Sequence, residues 1–161
     1  TSVKALDLTN NGLHDIESAN VLRELIRRNK TIARLCLARN TFGRDAAAVR
    51  SIADGVRSNV TLHQLDLGAC RLGDQGISVL ANALAILNAS LLELNLWDNE
   101  ITSVGIRALV DDNVEAVQNL TKLCLAHNPI RSEGVTILAD AFGAQRHAVS
   151  QATRSGLERY R

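Results

Sequence analysis

Leucines recur along this chain at a spacing that predicts short strands. Residues 91–99 read Leu-Leu-Glu-Leu-Asn-Leu-Trp-Asp-Asn, which is the pattern L-x-x-L-x-L-x-x-N. Leu94 and Leu96 alternate with polar neighbours, so the leucines face one side of an extended strand and the polar residues face the other. The alternation predicts a strand with one buried face.

The same nine-residue phrase occurs at four other places in the chain. These are residues 3–11, 32–40, 62–70 and 120–128. The last position of the phrase falls at residues 11, 40, 70, 99 and 128, so the repeat length is 29 or 30 residues. A fixed period of this size indicates a repeat architecture, in which each unit buries its apolar faces by stacking on its neighbours.

Between the phrases, the apolar spacing changes to that of a helix. In the third repeat, apolar residues lie at i, i+3, i+4 and i+7, at Ile77, Leu80, Ala81 and Leu84. The predicted stripes of the next two repeats are Ile106, Leu109 and Val110, and then Val135, Leu138, Ala139 and Phe142. A small residue precedes each stripe and permits close packing of the turn that opens the helix, namely Gly76, Gly105 and Gly134.

Strand, helix and strand in succession predict parallel strands at neighbouring positions. Strands lie about 4.8 Å apart, whereas helices need about 9 Å, so the helix side of the stack is longer and the stack curves. We therefore expect an α/β solenoid, a right-handed arc of about five strand-helix units with a concave parallel β-sheet and convex α-helices. The five repeats occupy residues 1–143, with strands near residues 3–8, 32–37, 62–67, 91–96 and 120–125.

The phrase and its period resemble those of the leucine-rich-repeat family. Units of 29 to 30 residues are similar to the ribonuclease-inhibitor subtype, which also forms the sensor domains of nucleotide-binding innate-immune receptors. The resemblance covers about residues 1–143 and implies a leucine-rich-repeat solenoid. The inhibitor itself alternates Asn and Cys at the last position of the phrase, whereas here only Cys70 replaces Asn, which argues against identity with the inhibitor. A buried amide in this column can hydrogen-bond the turning backbone of adjacent coils.

The two ends of the chain are less regular. Residues 144–161 do not fit a sixth phrase and carry an excess of arginine, so we predict a C-terminal tail or cap. A polar helical end that shields the last coil and a basic contact with an acidic partner are the alternatives. The strand edge at residues 3–8 would be adhesive if bare, so we expect a neighbouring segment, a partner chain or self-association to cover it. Because the chain has no Met, we expect it to be a piece of a longer or processed protein.

Charge and composition exclude several classes of partner. The 18 basic and 17 acidic residues nearly cancel, and aromatic residues make up only 2% of the chain, so neither nucleic acid nor a membrane surface is an expected partner. The sequence contains no run of about 18 apolar residues, so no transmembrane helix is predicted. The three scattered cysteines indicate free thiols in a reducing compartment, so we expect a cytoplasmic protein.

The sequence offers no catalytic constellation, and we expect neither an enzyme nor a bound cofactor. Cys124 and His127 have the spacing of two metal ligands, but a third and a fourth ligand are not evident, so no metal site is predicted. Cys36 occupies the same repeat position as Cys124 three coils away. Three strand spacings are roughly 14 Å, well beyond the reach of a disulfide, so we do not expect a bridge.

Alternation along each strand identifies the side chains that stand on the concave face. The candidate partner-binding residues are Arg34, Gln64, Glu93 and Lys122 at the third position of the phrase, Cys36, Asp66, Asn95 and Cys124 at the fifth, Trp97 at the seventh, and Arg39, Asp98 and His127 at the eighth. Trp97 is the only Trp, and the small residues at its position in other repeats predict open space beside it. It is a candidate interface hot spot. The alternative is that it lies flat and covers Leu94 and Leu96.

These observations predict a non-catalytic protein-protein interaction module within a larger protein. One alternative is a structural assembly element of a large ciliary or cytoskeletal complex. Another is a regulator of a GTPase or a nuclease that acts by binding, and it rests on fold analogy alone. The first two helices have a basic bias that would suit an acidic surface, although a solvated outer face also explains it.

Overall fold

A computed structural model of the chain describes residues 3–87, 90–110 and 115–143. This part of the chain contains five strands: β1 Ala5–Asp7, β2 Arg34–Cys36, β3 Gln64–Asp66, β4 Glu93–Asn95 and β5 Lys122–Cys124. Each strand occupies the third to fifth positions of the repeated phrase. A strand together with the turn and helix after it forms one coil, numbered 1 to 5 in chain order. The predicted tail of residues 144–161 lies outside the described residues.

A helix or helical segment follows each strand. These are α1 Ile16–Arg28, a 3-10 turn Phe42–Arg44 followed by α2 Ala46–Arg57, α3 Gly73–Leu87, α4 Ser103–Val110 with the short α5 Glu115–Gln118, and α6 at residues 131–143. Side-chain oxygens cap the first two helices, since Asp15 accepts from the N–H of Ser18 at 2.8 Å and Asp45 accepts from that of Ala47 at 2.9 Å.

The strands form one parallel sheet in the order β1-β2-β3-β4-β5. The register is constant, because Leu6 pairs with Leu35, Leu35 with Leu65, Leu65 with Leu94, and Leu94 with Leu123. Equivalent phrase positions therefore form straight rows across the sheet. With helices packed behind closely spaced parallel strands, the predicted α/β leucine-rich-repeat solenoid is confirmed.

The core lies between the sheet and the helices. The inward leucines of the central strands are buried, and so are the apolar residues that open the helical segments of the three inner coils, Phe42, Leu72 and Ile101. The predicted stripes of the third and fourth repeats are confirmed, because every one of their members is buried. The core therefore runs through the stack as a continuous apolar layer.

The predicted stripe of the fifth repeat is wrong in part. Val135 is 56% exposed and Phe142 is 41% exposed, while Ile137 is buried on the same helix. Val135 occupies the repeat position of Ile106, which coil 5 covers: a Cβ added at Gly134 would lie 3.5 Å from Cγ1 of Ile106. No described coil stacks on the far side of coil 5, so the equivalent residues of that coil stay exposed.

A ladder of buried amides links the coils through the last position of the phrase. The side-chain amides of Asn40, Asn99 and Asn128 donate to backbone carbonyls just after the strands of the preceding coil at 2.8 to 2.9 Å. The side-chain oxygen of Asn99 accepts from the N–H groups of Cys70 and Leu72 at 3.1 and 3.2 Å. The predicted role of this column is thus confirmed, since each amide satisfies both donors and acceptors of a turning backbone.

Cys70 takes the place of asparagine in this ladder. Its sulfur donates to the carbonyl of Leu37 at 3.3 Å, as an amide would, but sulfur is a weak acceptor. Burial raises the pKa of the Cys70 thiol to about 12, so the thiol keeps its proton at neutral pH. Coil 3 therefore keeps a hydrogen-bond donor to the carbonyl of the preceding coil, but a weaker acceptor than the asparagine oxygen.

Candidate functional site

The third-position row forms a chain of polar contacts across the concave face. Arg34 donates through Nε to the side-chain oxygen of Gln64, and Gln64 donates through Nε2 to Oε1 of Glu93 at 2.8 Å. Nζ of Lys122 lies 4.0 Å from Oε2 of Glu93. Such exposed pairs add little to stability, and here they join four side chains in order across four strands.

Three short side chains of the fifth-position row bond to the backbone two residues further along the chain, in the turn that follows each strand. The three bonds join Oδ1 of Asp7 to the N–H of Thr9 at 2.8 Å, Oδ1 of Asp66 to the N–H of Gly68 at 2.8 Å, and Oδ1 of Asn95 to the N–H of Trp97 at 3.2 Å. Each bond fixes its side chain at the end of a strand, where the chain turns.

Asp7 is held most firmly of the three. The hydroxyl of Thr9 donates to Oδ1 of Asp7 at 2.6 Å, and this bond, followed by the N–H bond of Thr9, lowers the pKa of the carboxyl from its usual value. The same hydroxyl lies 3.0 Å from the sulfur of Cys36. The charged form of Asp7 is therefore favoured at the first strand.

The two rows surround an open groove of about 500 Å³ on the sheet. Eight of the candidate partner-binding residues line it: Arg34, Cys36, Gln64, Asp66, Glu93, Asn95, Lys122 and Cys124. Asp7 lines it as well and is absent from the candidate set. The signal was present in the sequence, because Asp7 stands in the same row as Cys36 and Asp66 and the alternation points it to the same face.

Three further candidates meet at the edge of the sheet, and we call them the Trp97 cluster: Arg39, Trp97 and His127. Cζ of Arg39 lies 5.8 Å from the centre of the Trp97 ring, which is within the range of a cation–π contact. The His127 ring lies 6.4 Å from the indole at an interplanar angle of 77°, an edge-to-face arrangement. Trp97 itself is half-buried.

Backbone geometry places the outer members of this cluster. Arg39, Asp98 and His127 have φ angles of 59°, 52° and 58°, and the eighth residue is left-handed in each of the five coils. Positive φ is uncommon outside glycine, so the turn imposes it at this position. Asp98 shares the turn geometry and is exposed, but no described contact brings its side chain into the cluster.

The open space predicted beside Trp97 is wrong on one side. A Cβ added at Gly68 would overlap Nε1 and Cδ1 of the indole, so the ring crosses to the neighbouring coil and fills the place that a side chain would take. The absence of a side chain at Gly68 is therefore part of the Trp97 position. His127 faces the indole, and among the described residues no group of three or more His, Cys, Asp and Glu could hold a metal ion.

A family model for the Leucine Rich repeat matches residues 58–81, 87–110 and 118–139. The chain is a leucine-rich-repeat protein. Its relatives place the repeats in the ribonuclease-inhibitor-like group. Ribonuclease inhibitor of Mus musculus is 31% identical over 139 residues, which is 86% of this chain and 30% of the relative. A NACHT, LRR and PYD domains-containing protein, 4E of the same species, is 28% identical over 144 residues, or 87% of this chain and 14% of the relative.

Solved structures show the same fold at lower identity. The leiomodin-1 actin-binding site 2 superposes with a TM-score of 0.64 at 17% identity, covering 95% of this leucine-rich-repeat protein and 88% of that chain. The tropomodulin C-terminal domain of Caenorhabditis elegans gives a TM-score of 0.54 at 20% identity, covering 91% and 95%. By contrast, the leucine-rich-repeat protein spans less than a third of the length of the curated relatives named above. Within its described ranges, it has no helix with the length and apolar character needed to cross a membrane.

Proposed function

We propose that the concave sheet of this leucine-rich-repeat interaction module binds a protein partner, with the Trp97 cluster as its anchor, and that it does so without catalysis. The observation that carries the proposal is the position of Trp97. A half-buried indole rests on the backbone of Gly68 between a cation and a second ring, directly beside a polar groove. Aromatic and arginine side chains in such settings carry much of the binding energy at protein interfaces.

The fixed rows support the same conclusion. Binding loses free energy when mobile side chains must be ordered, and here Gln64 and Glu93 are already held by their neighbours. The groove contains Asp7, Asp66 and Glu93 beside Arg34 and Lys122, so both signs of charge are present. A partner that places basic or amide groups near Glu93 and an apolar side chain near Trp97 would fit this arrangement.

Affinity capture from a cell extract tests the proposal, with mass spectrometry to identify the bound protein and titration to measure its affinity. Trp97→Ala and Glu93→Lys are expected to weaken the identified complex by at least about tenfold, since each 1.4 kcal/mol is tenfold in affinity. Val104→Ala, at an exposed residue of α4, is the control. Unchanged affinity in both concave-face variants, with melting temperatures equal to that of the unchanged protein, would exclude the sheet as the binding surface.

A second candidate function is regulation of a ribonuclease by binding. The relative named ribonuclease inhibitor, at 31% identity over most of this chain, favours it. The missing alternation of Asn and Cys at the last phrase position weighs against a close functional match. A ribonuclease assay with increasing amounts of this protein decides the matter, because undiminished cleavage at micromolar protein would remove this candidate.

We further infer that the protein works in a reducing compartment such as the cytoplasm. The three cysteines, Cys36, Cys70 and Cys124, are free thiols, and the Cys70 thiol donates to the carbonyl of Leu37 in its protonated form. An assembly role through the end of the stack remains a proposal as well. It draws on the exposure of Val135 and Phe142, which a stacked partner would bury.

A further inference from the structure

A second groove lies on the opposite, convex side of the molecule, between α1 and α2. Its volume is about 370 Å³. The main lining residues are Ile16 and Arg23 from α1 and Ala46, Ala47, Arg50 and Asp54 from α2. The α1–α2 groove therefore combines small apolar side chains with two arginines, and it shares no residue with the concave face.

Close helix packing forms the base of the α1–α2 groove. A Cβ added at Gly55 would lie only 3.0 Å from Cα of Arg23, so glycine permits the helices to meet at this point. One turn away, the hydroxyl of Ser51 donates to Oδ1 of Asn20 at 2.7 Å and joins the two helices again. The polar groups at the base thus satisfy each other, and the arginine side chains remain at its walls.

The arginines here have fewer acidic partners than their number requires. Nε of Arg23 is buried and makes no hydrogen bond, and its acidic neighbour is Oε1 of Glu24 at 3.8 Å. Glu24 is also shared by Arg27 at 3.0 Å and Arg28 at 2.9 Å, so one carboxylate serves three guanidinium groups. The C-terminal half of α1, where these side chains lie, therefore keeps an excess of positive charge.

Arg50 adds to this excess from the α2 side. It is exposed, and the described residues provide no ion pair for it. The neighbouring Asp54 lies 3.6 Å from Arg57, its partner one turn further along the helix. A smaller groove of about 210 Å³ lies between α2 and α3 and is lined by Arg50 and Arg57. The cationic surface therefore extends beyond the α1–α2 groove.

We propose that the α1–α2 groove binds an acidic segment of a protein partner. Carboxylates of the segment pair with Arg23 and Arg50, because guanidinium groups bind carboxylates with matched geometry. An aliphatic side chain of the segment contacts Ile16, Ala46 and Ala47. The groove suits a peptide better than a nucleic acid, since a peptide can place its carboxylates at Arg23 and Arg50 and away from Asp54, whereas a phosphate backbone carries a charge at every nucleotide.

Fluorescence anisotropy tests the proposal with a fluorescein-labelled ten-residue peptide of alternating Glu and Leu. The full chain is expected to bind this peptide and not a matched peptide of Lys and Leu. Arg50→Glu is expected to weaken binding by about tenfold or more, because it replaces an attraction with a repulsion in the groove. Arg23→Gln should weaken it as well, with the melting temperature as a check on folding.

Arg71→Glu is the matched control, since it makes the same charge change at an exposed turn outside the α1–α2 groove. Its repeat equivalent in the next coil is Glu100, and the two residues have φ angles of 59° and 61°, so glutamate suits the backbone there. Trp97→Ala should leave peptide binding unchanged, which separates this surface from the concave one. Equal losses for Arg50→Glu and Arg71→Glu would overturn the proposal. The proposal would also be overturned if a labelled ten-nucleotide uridine oligomer bound more tightly than the Glu-Leu peptide and if Arg50→Glu weakened that binding.

Discussion

The indole of Trp97 occupies the space that a side chain at Gly68 would need. The two residues belong to neighbouring coils and to the same row of the sheet, so the shape of the Trp97 cluster depends on a residue that contributes no side chain. Because Trp97 is the only Trp in the chain, its fluorescence reports this contact without further labelling.

Gly68→Ala is expected to displace the indole from the sheet and expose it to water. The emission of Trp97 should shift to longer wavelength, and quenching by acrylamide should increase, because the added Cβ overlaps Nε1 and Cδ1 of the ring. Gly143→Ala is the control, since a Cβ there meets no atom of the described residues within 4 Å. Identical spectra and quenching for Gly68→Ala and the unchanged protein would contradict the contact.

Asn99→Ala is expected to destabilise the stack by about 3 kcal/mol, because it leaves the N–H groups of Cys70 and Leu72 and the carbonyl of Leu67 without their partner. Asn11→Ala, at the same phrase position in coil 1, should cost less than about 1 kcal/mol. Asn11 is exposed, and its side chain donates to the carbonyl of Thr9 within its own turn. Urea unfolding followed by circular dichroism measures both, and equal losses would argue against the ladder.

Substitutions at Asp74 and at Gly105 are expected to destabilise the protein through the same contact. Oδ1 of Asp74 accepts from the N–H groups of Thr102 and Gly105 at 2.8 and 2.9 Å, so α3 caps the start of α4 in the next coil. A Cβ at Gly105 would lie 2.5 Å from that oxygen. Asp74→Ala is expected to cost about 1 to 2 kcal/mol, as for other helix caps. The double variant Asp74→Ala/Gly105→Ala should lose less unfolding free energy than the two single variants lose together. Strictly additive losses in urea unfolding would refute the coupling.

Cys70 should make stability depend on pH in the alkaline range. The thiol has a pKa raised from 9.0 to about 12 in the folded protein, so the unfolded chain releases the proton first. The contribution of the protonated Cys70 thiol to the free energy of unfolding is complete below pH 9 and is lost as the pH rises towards 12. Cys70→Ser does not titrate there, so its urea midpoint should fall less between pH 8 and pH 10.5 than that of the unchanged protein. A parallel fall in both proteins would count against this assignment.

The sequence was sufficient for the register and for the buried stripes of the third and fourth repeats, because both follow from the repeat period. Leu35, Leu65 and Leu94 repeat at 29 or 30 residues, and an in-register parallel sheet is the arrangement that aligns them. The same alternation placed eight candidate residues around the groove. These properties depend on the direction of the backbone and on the repeated apolar positions, and both can be read from the sequence.

Two features could not be obtained in this way. The alternation predicts on which face of the sheet the Trp97 side chain lies. It does not predict that the ring extends over Gly68, because this depends on a side-chain torsion and on the space left by the neighbouring residue. The stripe of coil 5 failed for another reason. Val135 and Ile106 occupy equivalent positions, and only the presence or absence of a stacked neighbour decides which of them is buried.

The amide ladder also makes the five coils unequal neighbours. Asn40, Asn99 and Asn128 each satisfy groups of the coil before them, so the dependence between coils runs in one direction along the stack. Where Cys70 stands, sulfur replaces the oxygen that elsewhere accepts two N–H groups. The seam between the second and third coils is consequently the place where a stretched or heated solenoid should part first, dividing the array into a pair and a triplet.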